Sequence, residues 1–516
     1  MKVNIFMWIM SILPILTLLF LISYLKLDSS IVSFLSLLIT IIISIFVYKL
    51  NIDQIIIASS KGLVLSLYVS LIIISAIFLY NIVEISGGFE TVNAFIKKIK
   101  GNRALQFIGL SWAFSGFIQG VTGFGVPAAI VAGILIGMGF DSIKSITAGL
   151  VGHSWAISFG SMGSAFFALQ LVTGLDAIKL GVVMSILFFI PILTTGIFTA
   201  YIYDGITAIK NNLQYILFMT LLIGAGQLLS AVTKNAHLGS LVGGLLGTLF
   251  FMVIIFKNNH LSVSEYLKFQ KNDMNIILAI LPYLILIISV LFLQIPIIKN
   301  IIPQIKLDFS FPSFTTDLGY YVAEEKSFSP IILFEHPFFF LFLSSISAII
   351  IYSKKGLLNV KDLNKIFRKS YQKSKTPIIT VFFLMIMALI MNNSGMILNF
   401  AQGISMVTSN IFPIISPLIG ILGAFLTGSN TSSNVLFGSF QIETAKILGL
   451  SPIVIASTQS IGGSLGSAIA PAKILLGASV IGVLGKEGVI IKNCLGYTLI
   501  SGTLVGVLSF IIEIII

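Results

Sequence analysis

Apolar runs long enough to cross a bilayer recur along this chain, separated by short polar connections. They fall near residues 5–25, 31–48, 62–83, 177–203, 212–232, 237–256, 274–296, 331–352, 376–391 and 491–516. A membrane-spanning helix needs about 20 apolar residues, so the pattern predicts an all-α polytopic membrane protein. Two regions depart from it: 104–139, with a Gly/Ser-rich span at 145–169 behind it, and 413–485. A piece at 396–411 is amphipathic and weaker than a span. Together these predict about 12 to 14 transmembrane helices, with broken or re-entrant helices at the two departures.

The first departure reads Gly116-Phe-Ile-Gln-Gly-Val-Thr-Gly-Phe-Gly-Val-Pro-Ala128. Gln119, Gly120, Thr122, Gly123, Phe124 and Gly125 separate two apolar runs, and Pro127 opens the second. Inside a helix, glycine costs about 1 kcal/mol and proline about 3 kcal/mol relative to alanine, so this stretch resists staying one regular helix. Backbone groups freed at membrane depth need partners, and the break belongs inside protein or beside a water-filled cavity. Transporters build substrate sites at such breaks. The plain alternative is close helix packing through small residues.

The second departure, Thr427-Gly-Ser-Asn-Thr-Ser-Ser-Asn434, has eight residues and no apolar member. Serine, threonine and asparagine cap helix N-termini, where free N–H groups and the helix dipole favour an anion. Ser429, Asn430, Thr431, Ser432, Ser433 and Asn434 are therefore candidate ligands for a small carboxylate. A turn satisfied by its own backbone is the alternative. The two departures resemble copies. Gly139 and Gly449 each close an apolar run, and each is followed 13 residues later by another glycine, Gly152 or Gly462. The common offset of 310 lays 119–124 on 429–434.

Composition narrows the class further. The 516 residues are 57% hydrophobic and 9% charged, with a mean hydropathy of +1.08, which neither a soluble core nor a membrane barrel requires. The net charge of +12 sits in loops, so it reports topology and contact with anionic membrane lipids, not nucleic acid. Loop 353–376 carries eight lysines and arginines against one acid, Asp362, and is expected in the cytoplasm. Counting back puts 97–103 inside and the N-terminus outside. If 396–411 does not cross, the two breaks enter from opposite faces, as inverted repeats require. A division follows: an N-terminal half, 1–256, holding the first motif (104–169); a connecting region, 257–376, with two spans and the basic loop; and a C-terminal half, 377–516, holding the second motif (413–485). The single cysteine, Cys494, excludes an internal disulfide. The N-terminal apolar stretch lacks a small-residue cleavage site and reads as the first transmembrane helix.

Among ionisable residues, His153 lies in a Gly-rich apolar span and aligns with Gly463 of the second copy. It is a proton-coupling candidate, because an intramembrane imidazole titrates near neutrality. A packing histidine bonded to a carbonyl is the alternative. Asp141 is the second candidate, in a short connection with Lys144. Lys473 is positioned either to meet a substrate carboxylate or to pair with Glu443 or Glu487. The four histidines lack zinc-site spacing, and neither a nucleotide loop nor a nucleophile elbow is present. No catalytic residue, metal site or organic cofactor is expected.

The segments Gln119-Gly-Val-Thr-Gly-Phe-Gly-Val-Pro-Ala-Ala-Ile, Gly137-Met-Gly-Phe140 and Phe159-Gly-Ser-Met-Gly163 resemble the N-terminal signature of the L-lactate permease family. Thr427-Gly-Ser-Asn-Thr-Ser-Ser-Asn-Val-Leu-Phe-Gly438, Gly449-Leu-Ser-Pro452, Ile469-Ala-Pro471 and Val483-Leu-Gly-Lys-Glu487 are similar to its C-terminal signature. The resemblance implies an inner-membrane symporter that carries lactate or a related 2-hydroxy monocarboxylate such as glycolate with protons. Ser429-Asn-Thr431 is also similar to loops of sodium-coupled divalent-anion symporters, so Na⁺ remains an alternative coupling ion. Three positions depart from the family pattern. Gln119 stands where many members carry Glu, Gly152-His-Ser-Trp155 where members often have Asn and Pro, and Lys473 where some have a neutral polar residue.

The expected protein is a secondary active transporter of two inverted halves, working by alternating access. The rivals are a sodium-coupled mono- or dicarboxylate symporter, an anion channel and a membrane-embedded enzyme. The sequence sets no oligomeric state.

Overall fold

The computed structural model describes residues 4–25, 27–98, 101–122, 125–258, 270–271, 274–293, 295–480 and 482–515. In chain order, the first part runs α1 (Ile5–Ser23), α2 (Ser29–Phe46), α3 (Ile52–Ile85) and a short amphipathic α4 (Gly88–Lys98). A hairpin follows, α5 (Arg103–Val121) and α6 (Val126–Gly137), and then α7 (Ser142–Gly152) and α8 (Ser164–Thr173). Next come α9 (Ala177–Leu187), α10 (Phe189–Val232) and α11 (Gly239–Asn258). The second part runs α12 (Ile276–Leu293), α13 (Pro337–Lys354), α14 (Val360–Asn393) and a short α15 (Met396–Thr408). A second hairpin, α16 (Phe412–Thr427) and α17 (Asn430–Leu448), precedes α18 (Pro452–Gly466), α19 (Pro471–Val480) and α20 (Glu487–Ile515).

Among the described residues, 12 helices are long and apolar enough to cross a membrane, or up to 13 if the bent pair spanning 142–173 is one span. This is a multi-pass membrane protein. Its two parts repeat one another. Start residues differ by 308 (29 and 337, 52 and 360, 88 and 396), 309 (103 and 412) and 310 (142 and 452, 177 and 487). The local chemistry repeats with them. Asn51 and Asn359 each start a 34-residue helix with a capping box, to Gln54 and Asp362 respectively. Gly139 (φ +82°) and Gly449 (φ +71°) each end a helix in the left-handed region that favours glycine. The repeat starts earlier than the broken motifs alone indicate, because α2–α4 already match α13–α15.

The hairpins return to the face they leave. Arg103 Nη1 donates to the Met138 carbonyl at 2.8 Å, so both ends of the first hairpin lie together. Gln441 Nε2 donates to the Ser416 carbonyl at 3.0 Å and folds the second back in the same way. Length and composition alone would count α5 among the spans.

The two faces differ. On one, Lys369 and Lys373 reach Glu84 at 2.7 and 3.6 Å, Lys271 meets Glu90 at 2.5 Å, and Lys144 Nζ donates to the Tyr203 carbonyl at 2.8 Å. The first hairpin opens toward this basic face. On the other, Gln54 Nε2 donates to the Thr315 carbonyl at 3.0 Å, Lys61 pairs with Glu325, and Tyr320 packs against Gly395. Burial and the Glu443 carboxylate both raise the Tyr320 phenol pKa, which places the end of α17 on this face too. α15 therefore lies along the second face, and its 13 residues span only about 20 Å at 1.5 Å each. The hairpins thus enter from opposite sides, which makes the repeats inverted.

One expectation changes in detail. Stretch 353–376, expected as a loop, is helical from Val360 onward, because the Asn359 capping box starts α14 and no breaker precedes Pro377. The polar stretch between α12 and α13 contains antiparallel strands, Lys306–Phe311 against Glu325–Ile332.

Candidate functional site

Both hairpin tips reach the middle of the molecule. At the first, α5 ends at Val121 and Gly125 adopts φ +81°, which frees Val126 and Pro127 to start α6. At the second, Gly428 (φ +73°) ends α16, and Ser429 caps α17 by accepting from the Ser432 N–H at 3.3 Å. Opposite entry brings the tips to one cavity of about 50 Å³, lined by Gln119, Ser161, Ser164, Ser429, Asn430, Thr431 and Lys473. One water-sized probe needs about 10–15 Å³, so this space suits a few waters or a very small molecule.

A wider cavity of about 390 Å³ shares Gly428, Ser429, Thr431 and Lys473 with the first. Its remaining wall includes Ser29, Ile73, Thr376, Thr380 and Ser432. Ser29 begins α2, and Thr376 directly follows the lysine-rich stretch of α14. The central cavity therefore communicates with the basic face.

Among the described residues, Lys473 is the only cationic side chain lining either cavity, and it is 9% exposed. The acids proposed as its partners are committed elsewhere. Glu443 holds Lys446 at 2.6 Å, and Glu487 accepts from the Gly485 N–H at 3.0 Å. Among the described residues Lys473 makes no ion pair. A buried ammonium without a counter-charge costs several kcal/mol, so the site favours an anion. Gly125 lies against this side chain, since a Cβ there would be in ordinary contact at 3.5 Å from Lys473 Cγ, and it is the φ of +81° that calls for glycine.

The amides are held from behind by a serine pair contributed by both halves. Asn430 Nδ2 donates to Ser158 Oγ at 3.0 Å, Ser460 Oγ to Ser158 Oγ at 2.9 Å, and Asn434 Nδ2 to Ser460 Oγ at 2.9 Å. The buried amide oxygens with no donor include those of Gln119 and Asn430, which line the small cavity, and that of Asn434 behind it. Buried polar atoms are usually paired, so these acceptors mark where a ligand's donors, or a cation, could bind.

The remaining candidates fall outside the cavities. The Thr122 hydroxyl donates back to the Ile118 carbonyl at 2.9 Å, and Gly120 serves helix packing, 2.7 Å from the Leu241 backbone once a Cβ is added. Ser433 donates to the Gly420 carbonyl at 3.1 Å and braces the hairpin. Asp141 caps α7 through the Lys144 N–H at 2.8 Å, near the basic face. His153 is fully buried with its Nδ1 2.7 Å from the Gly149 carbonyl. Gly123 and Phe124 lie outside the described residues. Sequence reasoning missed Ser158, Ser161 and Ser164. The signal for them was the Ser/Gly-rich stretch 158–164, with three serines and two glycines at membrane depth.

The family model for L-lactate permease matches residues 7–516. The chain belongs to the L-lactate permease family. It is 26% identical to an L-lactate permease of Streptococcus iniae over 88% of this chain and 94% of that one. It is 25% identical to the glycolate permease GlcA of Escherichia coli over 98% and 95%. Among solved structures, the Alcanivorax borkumensis YdaH transporter superposes with a TM-score of 0.53 at 14% identity, over 93% of this chain and 98% of that one. That likeness concerns the fold alone. Within this L-lactate permease family member, the family-like segments 119–130 and 427–438 supply the two tips that meet at the cavity.

Proposed function

We propose that this protein is a secondary active transporter for L-lactate or a related short 2-hydroxy monocarboxylate such as glycolate. It moves the acid with a proton across the inner (plasma) membrane by alternating access. The single observation that carries this is Lys473, an unpaired buried ammonium in a cavity built by both broken helices. One ammonium matches one carboxylate. The amide oxygens of Gln119 and Asn430 lack donors and suit the 2-hydroxyl of the acid. The basic face is cytoplasmic and the N-terminus external by the positive-inside rule, so the cavity opens inward in this conformation. Movement of the hairpin-bearing elements against the α3–α14 scaffold would expose it to the other side.

A second reading, sodium coupling, is favoured by the donor-free oxygens of Asn430 and Asn434, since hard cations take oxygen ligands. Labelled L-lactate uptake into proteoliposomes separates the two. Proton symport predicts accumulation under an inward proton gradient without sodium, competed by glycolate more strongly than by succinate. Accumulation that needs a sodium gradient at constant pH would install the second reading. Lactate-independent conductance would indicate a channel instead.

Two substitutions grade the site. Asn430→Ala is expected to raise the KM for lactate about tenfold, the factor for one hydrogen bond to a charged or fully buried partner. Thr122→Ala should leave KM near wild type, because its hydroxyl serves its own helix. Ser158→Ala removes the support behind Asn430 and should raise KM less than Asn430→Ala does. The reverse order in KM would rule out this arrangement.

A further inference from the structure

The inward mouth has a counterpart on the opposite face. A separate cavity of about 210 Å³ lies there, beside Ile332 at the end of the strand Glu325–Ile332. Its walls include Tyr68 of α3, Phe167 of α8, His336 at the start of α13 and His237 in the turn before α11. The inward cavity is walled by Thr376 of α14, Leu476 of α19 and Ser29 at the start of α2. The repeat relates these walls. Helices α3 and α14 start 308 residues apart, which lays Tyr68 on Thr376. His336 and Asp28, also 308 apart, cap α13 and α2 in the same way, each accepting from the N–H two residues on, at 3.1 and 2.9 Å. The helices on either side of α8 are offset by 310, so Phe167 falls on Gly477, directly after Leu476.

The two mouths differ in what spans them. In the outer one the Tyr68 and Phe167 rings meet with centroids 5.3 Å apart, and the Tyr68 ring lies 4.1 Å from that of His336. In the inner one the corresponding positions are Thr376 and Gly477, which have no ring to bridge the gap. Tyr68 belongs to the scaffold, whereas Phe167 belongs to α8, which begins at the central cavity with Ser164. Only the turn before α8 divides the two spaces. Ser161 faces the central cavity, and a Cβ on Gly163 would stand 2.7 Å from His237 Cβ on the outer side. The ring pair therefore closes the seam between the scaffold and an element of the central site.

Two inverted copies of one motif can adopt each other's arrangement, and alternating access is rigid movement of one part against the other around a fixed site. Resting on the transport reading above, we infer that the outer cavity is the outward mouth of the substrate path, held shut here by the Tyr68–Phe167 pair. When α8 moves against α3 the rings part, and the carboxylate enters between them toward Lys473 while the Thr376 side closes. An aromatic pair fastens the outer seam and none fastens its inner counterpart, so the substrate-free protein rests inward-open. One such pair contributes about two- to tenfold to that preference.

The test reads which face admits a thiol reagent, in right-side-out and inside-out vesicles of the full-length protein. Cys494, which is fully buried, is replaced by alanine, and Ser164→Cys puts one thiol in the central cavity. A membrane-impermeant maleimide added outside should label it slowly, and about two- to tenfold faster once Phe167→Ala is added. Phe167→Tyr keeps a ring and should restore the slow rate. Labelling from the cytoplasmic face should be no faster in Phe167→Ala. Tyr68→Ala removes the ring across the seam, should give the same result, and covers the case in which the Phe167 variant does not fold. Unchanged labelling from outside in both variants overturns the gate. Faster labelling from both faces also overturns it, since that marks a loosened fold. L-lactate uptake by the wild type in the same vesicles tests the other premise: uptake with unchanged labelling overturns the gate alone, and no uptake overturns the transport reading.

Discussion

Lys473→Gln is expected to raise the KM for L-lactate by about 10- to 100-fold, the range for losing one charge-assisted hydrogen bond of roughly 1.5–3 kcal/mol. The ammonium lines both cavities, and its proposed acidic partners are engaged elsewhere. Removing it leaves no buried carboxylate stranded. The ligand-free variant should therefore melt no lower than wild type, because an uncompensated buried charge has been taken away. Lactate should raise the melting temperature of wild type by mass action and leave the variant unmoved. Lys473→Arg keeps the charge in a larger, planar group and should recover part of the affinity. A Lys473→Gln protein with wild-type KM and wild-type ligand stabilisation would remove the anion site. A large drop in ligand-free stability would show instead that Lys473 has a structural partner.

Gly152→Ala and Gly462→Ala should each nearly abolish folded, monodisperse protein. The two glycines are 310 apart and occupy corresponding helix crossings. A Cβ on Gly152 would lie 1.6 Å from the Ser111 carbonyl oxygen, and one on Gly462 would lie 2.0 Å from that of Pro417. Overfilling a core beside side chains costs about 1–3 kcal/mol, since those can turn aside. Backbone carbonyls cannot turn aside, so the hairpin must separate from the broken helix behind it. Gly133→Ala and Gly496→Ala meet nothing within 4 Å and should behave as wild type. Detergent-extracted yield and size-exclusion profile read all four. Wild-type behaviour in Gly462→Ala would mean that α16 and α18 do not cross as described.

The glycine pair also shows how far the primary structure reaches. The shared spacing of Gly139–Gly152 and Gly449–Gly462 exposes a duplication at low identity, because a left-handed helix end and a close crossing both demand glycine wherever they recur. The same applies to the polar run at 427–434, which no helix surrounded by lipid tolerates. Other assignments by position were less informative. Thr122 and Asp141 are of suitable type, yet each hydrogen-bonds within its own helix end, and type alone does not show which way a hydroxyl or carboxylate is used. Ser158 went unnoticed because a Ser/Gly-rich stretch does not show which of its serines meets a distant partner. Its role comes from Asn430, 272 residues away.

Hydropathy, breakers and spacing thus determined from the chain alone that it is membrane-embedded, where its helices break and that it is duplicated. These are local properties, set within a few turns by the free energy of placing each residue in lipid or in a helix. Tertiary structure alone decided that each hairpin returns to its own face and that Lys473 goes without a carboxylate. It alone also set His237 and His336, 99 residues apart, at one cavity. Those outcomes depend on which distant surfaces pack together, and the energy of a contact is absent until both sides of it are in place.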